Sequence, residues 1–436
     1  MSEKISLRSI NRLAIPSILA GIIEPVISIS DTAIVGHVTL NPTESLAAVG
    51  IVGSFLSAII WILAQTKSSI SSIVSQKLGS NQINDIKTLI PQTMLLNVTV
   101  GILFSGFSFW FAREIFMLYS AKEIILDYAV SYYKIRVFGL IFTLITFLIF
   151  GVFRGLQNTL WAMKISLIGG VLNVLLDYVL VYGVGDIIPA MHIQGAAWAS
   201  LIAQFVMMLL AIGYYLNKTP FRLNLKLNLN PEIRYFLSLT GNLIIRTIAL
   251  NVAIYLSNRY ATSYGKDYIA AHVIATNIWL FSAFFIDGYA NAGNSISGKL
   301  FGSKDFVNMK ILSKKLLKYG LFVAVILSAV YIISYPFIGK IFTRELGVLN
   351  IFDTFFWLII LMQPVGAIAF IFDGIFKGIG WAKYLRNIQL IATFLVFIPT
   401  LVVLDYFDFK LYAIWIAFLL WMSFRAGSLW FRFSKI

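Results

Sequence analysis

The sequence predicts an all-α integral membrane protein with twelve transmembrane helices in two pseudo-symmetric six-helix lobes. Three observations carry this: the composition, a recurrence of apolar stretches of membrane-crossing length, and an internal repeat. Hydrophobic residues make up 59% of the 436 residues and charged residues only 12%, about half the charged fraction of an ordinary soluble domain. Mean hydropathy is +0.86. Such a chain has too few polar groups to cover a water-facing surface. Cysteine is absent and only three histidines occur, so thiolate metal sites and histidine-rich metal centres are not expected. The N-terminal stretch has no short apolar run followed by a cleavage site, so the first span is expected to be retained.

A helix crossing a bilayer needs about 20 mostly apolar residues, because lipid offers its backbone no hydrogen bonds. Stretches that meet this requirement fall near 12–37, 46–76, 88–112, 129–152, 161–182, 192–216, 234–258, 268–298, 316–338, 354–376, 387–405 and 411–431. Basic residues orient them. With a cytoplasmic N-terminus, most of the 34 lysines and arginines lie on the inner side, including Lys77, Lys87, Lys218, Lys226, Lys310, Lys314, Lys315 and Lys383, and few lie outside. This is the positive-inside pattern, and it places both termini in the cytoplasm. The net charge of +15 then reflects topology and an anionic inner leaflet rather than nucleic-acid binding.

The second half repeats the first in constant register. LAAVG at 46–50 answers IAAHV at 269–273, QKLGS at 76–80 answers KLFGS at 299–303, and FGVFRG at 150–155 answers DGIFKG at 373–378. Six spans per repeat return the second half into the membrane in the same direction as the first, which implies an axis along the membrane normal. The expected division is an N-terminal lobe at 1–216, a cytoplasmic linker at 217–233 and a C-terminal lobe at 234–436. Two lobes flanking one path suit alternating access better than a channel.

Ionisable groups inside spans cost at least about 2.5 kcal/mol at mid-membrane, so they mark function or pair with one another. Counting along the helices puts Glu24 level with Lys67, and Arg246 level with Asp287, with reversed polarity in the two halves. Two intramembrane pairs are therefore expected, as static neutralisation or as part of coupling. Asp373 lies one turn before Lys377 near the cytoplasmic end, which suggests a gate or packing role. Lys134 and Arg136 are expected to snorkel at the outer start of the fourth span, beside interface-anchoring Tyr132 and Tyr133. Pro16, Pro25 and Pro364 fall within spans and are expected to kink them. Glycines at 151–155 and 169–170 signal close helix contact.

Asp31 and Asp177 are two further acids inside spans. Asp31 and Asp177 lie at similar depth on two outward-running helices, and Asn173 is one turn from Asp177 on the same face. Two carboxylates in a poorly solvated cavity disfavour double ionisation and can retain a proton; equally, their oxygens with the Asn173 carbonyl can surround sodium. No HExxH, GxSxG, paired-cysteine or P-loop pattern supports an embedded enzyme or an ATP-driven pump.

The chain carries DTAIVG at 31–36, FRGLQNT at 153–159, NVLLDYVL at 173–180, GAAWASLIAQ at 195–204 and FDGIFKGIG at 372–380. In these pieces, their order and their duplicated context it resembles the multidrug and toxic compound extrusion (MATE) family, in particular its bacterial DinF-like branch. The resemblance implies a secondary antiporter in the bacterial inner membrane. It would export amphipathic, often cationic compounds in exchange for protons or sodium, with no bound cofactor and no obligate protein partner beyond membrane lipids. It also implies that Asp31, Asn173 and Asp177 occupy first-lobe coupling positions, supported by Ser200. The closest alternative is a related lipid-linked sugar or peptidoglycan-precursor flippase. An embedded enzyme stands further off.

Overall fold

The computed structural model describes residues 5–38, 41–119, 121–185, 187–226 and 228–435, apart from the side chains of Glu24, Pro25, Ser28, Ile29 and Thr32. Its long elements are all helical. In chain order they are α1 (Leu7–Val35), α2 (Pro42–Leu63), α3 (Gln65–Gly79), α4 (Leu89–Trp110), α5 (Ala112–Leu118), α6 (Glu123–Arg136), α7 (Gly139–Gly155) and α8 (Leu160–Tyr182). They continue with α9 (His192–Lys218), α10 (Ile233–Ser263), α11 (Lys266–Gly302), α12 (Phe306–Ile338), α13 (Leu346–Gly378), α14 (Ala382–Ile391), α15 (Ile398–Tyr406) and α16 (Leu411–Ser434).

Among the described residues, ten helical segments are long and apolar enough to cross a membrane, and an eleventh candidate is the pair α6–α7, bent by 46° at its break. The chain is thus a multi-pass α-helical membrane protein. Three expected spans are more articulated than the hydropathy pattern implies. The span near 46–76 is α2 and α3 meeting at Ala64, that near 129–152 is the bent α6–α7 pair, and α14 and α15 join through a π-helical stretch at Ala392–Phe397. By contrast, α1 and α13 run unbroken past Pro16 and Pro364, while the ring of Pro25 lies outside the described residues. Lipid-facing character is plain on the surface, where Trp110, Leu118 and Ile333 are each more than three-quarters exposed; in water such a display would be an association site.

The chain forms two compact units. One comprises Met1–Ile18, Ser75–Asn81 and Leu237–Ile436, and the other Leu19–Val74 and Gln82–Phe236. In the second of these, the glycines of the first repeat do what their spacing predicts. A Cβ on Gly155 would stand 2.6 Å from the Val74 Cβ, and one on Gly170 would stand 2.9 Å from Ile23. The connecting segment before α10 is fastened to this unit by amide side chains. Gln92 Nε2 donates to the carbonyls of Lys226 and Asn228 at 3.0 and 2.9 Å, and Asn230 Nδ2 donates to Asp85 O at 2.7 Å and Thr88 Oγ1 at 2.8 Å.

In the other unit α11 and α13 approach through small residues. A Cβ on Gly374 would run into the Ala290 carbonyl, and Ser297 Oγ donates to Ile375 O at 3.1 Å. Because backbone cannot yield as a flexible side chain can, Gly374→Ala should cost about 1–3 kcal/mol. It should lower the thermal midpoint of the detergent-solubilised protein, whereas Gly427→Ala, with open space around its position, should leave the midpoint where it is.

Candidate functional site

Within the unit built from Leu19–Val74 and Gln82–Phe236 lies a cavity of about 360 Å3. Its lining is apolar toward Ile23, Ile27 and Ile60, and polar where Asp31 of α1, Arg136 of α6, Asn173 of α8 and Ser200 of α9 converge. Each polar group reaches that point by helix geometry. Asp31 sits in the last two turns of α1, Asn173 in the middle of α8 and Ser200 in the third turn of α9. Gly169, one turn before Asn173, carries no side chain and leaves room for Met207 of α9.

The polar groups form a chain of hydrogen bonds. Asn173 Nδ2 donates to Ser200 Oγ at 3.2 Å, and Ser200 Oγ donates to Asp31 Oδ2 at 3.2 Å. Asp177, one turn beyond Asn173, is fully buried and lies within hydrogen-bonding reach of Asp31. Asp31, Asn173 and Ser200 are likewise at most 4% exposed. Among the described residues, Asp31 Oδ1, Asn173 Oδ1 and both oxygens of Asp177 are buried without a hydrogen-bond partner. Buried acceptors left unpaired are costly, and four of them lie on three neighbouring side chains. Asp31, Asn173 and Ser200, which the family resemblance groups at one site, are joined here by hydrogen bonds.

The MatE family model matches the chain twice, over residues 16–179 and 243–403. The chain belongs to the MatE family. The double match spans most of the chain and coincides with its internal repeat. Among curated relatives, DNA damage-inducible protein F of Escherichia coli (strain K12) is 24% identical over 96% of this chain and 90% of its own length. The probable multidrug resistance protein NorM of Pasteurella multocida (strain Pm70) is 24% identical over 99% and 95%. A solved MATE transporter of Vibrio cholerae shares the fold with a TM-score of 0.90, covering 98% of this chain and 96% of its own at 16% identity. This MATE protein is accordingly a secondary transporter of the DinF-like branch, not an enzyme.

Several side chains of this MATE protein stand where sequence reasoning did not put them. Arg136 lines the cavity instead of snorkelling to the outer interface, and its guanidinium carbon lies 5.9 Å from the Tyr132 ring. Tyr132 and Tyr133 are not interface anchors but buried, and Tyr133 packs edge-on against Phe55 and Phe116 at 5.6 and 5.1 Å. The expected Glu24–Lys67 pair lies outside the described residues on its Glu24 side. Lys67 Nζ stands over the rings of Phe147 and Phe150, at 4.8 and 5.7 Å, which suits a cation held among aromatics.

The expected Arg246–Asp287 pair is not formed. Arg246 Nη2 instead donates to Asp373 Oδ1 at 2.7 Å, while Asp287, exposed on α11, accepts from Asn291 at 2.8 Å. Equal depth on neighbouring helices fixes height but not the direction a side chain points, and α10 turns Arg246 toward α13. Asp373, for which a gate or packing role is expected, lies buried. It is 4% exposed and also pairs with Lys377 Nζ at 2.8 Å.

Proposed function

We propose that this transporter exports amphipathic, preferentially cationic organic compounds by alternating access, driven by protons that enter through the Asp31–Asn173–Asp177–Ser200 site. The observation that carries this reading is the set of four unpaired acceptor oxygens on Asp31, Asn173 and Asp177 beside a largely apolar cavity. Two carboxylates within reach of one another, with no donor between them, are satisfied together by one shared proton. A cationic amphiphile makes a competing demand on the same acids while its apolar part takes the isoleucine-lined wall. Proton and cargo then exclude each other, and mutual exclusion at one site is what exchange requires. Kinship with a probable multidrug resistance protein supports the cargo class.

Sodium is the second reading. Asn173 Oδ1 would remain unpaired after a proton bridges the two acids, whereas sodium would take it as a ligand alongside the carboxylates and the Ser200 hydroxyl. The experiment that separates them is uptake of a fluorescent organic cation into proteoliposomes under an imposed pH gradient without sodium, and under a sodium gradient without a pH difference. Proton coupling predicts accumulation in the first alone. Accumulation in the second alone would assign the site to sodium, and equal uptake of cationic, neutral and anionic test compounds would contradict the cargo preference.

The architecture that goes with this reading is twelve spans, with α1 as the first, in two six-helix lobes at 1–216 and 234–436 joined by a linker at 217–233. The chain would lie in a bacterial cytoplasmic membrane with both termini inside, in contact with lipids and small-molecule cargo. With no native cysteine to remove, single cysteines report sidedness directly. Lys226→Cys should react with an impermeant maleimide only from the cytoplasmic side and Glu44→Cys only from the outside. The reverse pattern would invert the topology.

A further inference from the structure

In the unit that contains Leu237–Ile436, four charged side chains from α10, α13 and α16 meet in a buried cluster. Asp373 has both carboxylate oxygens occupied, Oδ1 by Arg246 Nη2 at 2.7 Å and Oδ2 by Lys377 Nζ at 2.8 Å. Arg425 is 2% exposed and Arg246 6%. Arg425 Nη2 stands 3.7 Å from the Asp373 Oδ1 that Arg246 already holds, and it has no hydrogen-bond partner. Its other terminal nitrogen reaches only the Met422 sulfur, at 3.3 Å. The guanidinium carbon lies 4.6 Å from the Trp421 ring centroid, a contact that tempers the charge without cancelling it.

Among the described residues, Asp373 is the one carboxylate that forms an ion pair with either arginine. One carboxylate therefore serves two buried guanidiniums. Buried charge without a counter-charge is strongly disfavoured, and an orphaned guanidinium edge has the fork geometry that fits a planar or tetrahedral oxyanion. We propose that this cluster is a binding site for a carboxylate or phosphate group, which docks on Arg425 and draws Arg246 and Lys377 away from Asp373. The site is separate from the acid-lined cavity, lies in the other compact unit, and does not depend on which ion drives transport. The same oxyanion chemistry is offered by a free inorganic anion and by the anionic head of an amphiphile.

The test uses the full chain in non-ionic detergent, with the thermal midpoint read against inorganic phosphate at constant ionic strength balanced by chloride. The midpoint should rise with phosphate and saturate. Arg425→Gln should abolish the rise, and Arg425→Lys should keep a weaker one. Asp373→Asn, which removes the internal competitor, should lower the half-saturating phosphate concentration at least tenfold, an outcome that a merely structural cluster would not give. If Asp373→Asn does not accumulate, the two Arg425 variants decide the question in the wild-type background. Decyl phosphate below its micellar concentration separates the sources. Half-saturation tenfold or more below that of inorganic phosphate identifies an amphiphile head, and equal half-saturation identifies a free anion. Equal midpoints in phosphate and chloride for the wild type, or an undiminished phosphate response in Arg425→Gln, would overturn the proposal.

Discussion

Replacing either buried acid of the cavity, by Asp31→Asn or Asp177→Asn, should leave the protein folded and abolish gradient-driven uptake, with a fall of about 100-fold. That lies toward the upper end of the coupling of about 5–150-fold that links two ligands through one protein. Each change keeps the side-chain shape, and Asp31→Asn keeps an oxygen to accept from Ser200, but both remove the charge that alternately holds ion and cargo. Ser200→Ala should cost far less, because the hydroxyl only bridges Asn173 to Asp31 over two 3.2 Å bonds. Proteoliposome uptake at matched protein abundance reads the series. Full uptake in both Asn variants, with wild-type pH and sodium dependence, would remove the site from the mechanism.

The second large effect concerns stability. Asp373 is the shared partner of Arg246, Lys377 and Arg425, so Asp373→Asn strips a buried cluster of its negative charge. Breaking a buried pair by deleting one partner costs about 3–5 kcal/mol, and a loss of that size should appear in unfolding of the detergent-solubilised protein in phosphate-free buffer. Arg425→Met should behave oppositely. It removes a cation that Asp373 does not neutralise and substitutes an apolar chain beside Trp421 and Phe370, so stability should hold or rise. Equal destabilisation by both changes would contradict the electrostatic account of the cluster.

These residues also show what could and could not be read from the chain. The membrane class and the helical repeat were legible, because apolar length and register are properties of the sequence itself, whereas the Asp31–Asn173–Asp177 grouping came from the family resemblance. Arg136 and Arg425 were not picked out, since basic residues near span ends were assigned to the interface or to inner loops by the positive-inside rule. The signal for Arg425 was nonetheless present: position 425 falls inside the apolar stretch at 411–431, where an ionisable residue calls for a partner. Arg246 was recognised as a paired intramembrane charge but matched to the wrong acid, because residue counting gives depth and the partner depends on the rotation of α10 against α13. The breaks at Ala64 and between α6 and α7 escaped hydropathy for a related reason, as a bend changes direction without changing composition.

The central claim is that cargo and proton exchange at the Asp31–Asn173–Asp177–Ser200 site. The most direct test is to load proteoliposomes with a pH-sensitive dye and impose an organic-cation gradient, directed inward, with equal pH on both sides and no sodium. Entry of the cation should drive protons out, so the lumen should turn alkaline in proportion to cargo entry, and Asp31→Asn should give no change. Cargo entry into wild-type vesicles at constant lumenal pH, or alkalinisation undiminished by Asp31→Asn, would contradict the account.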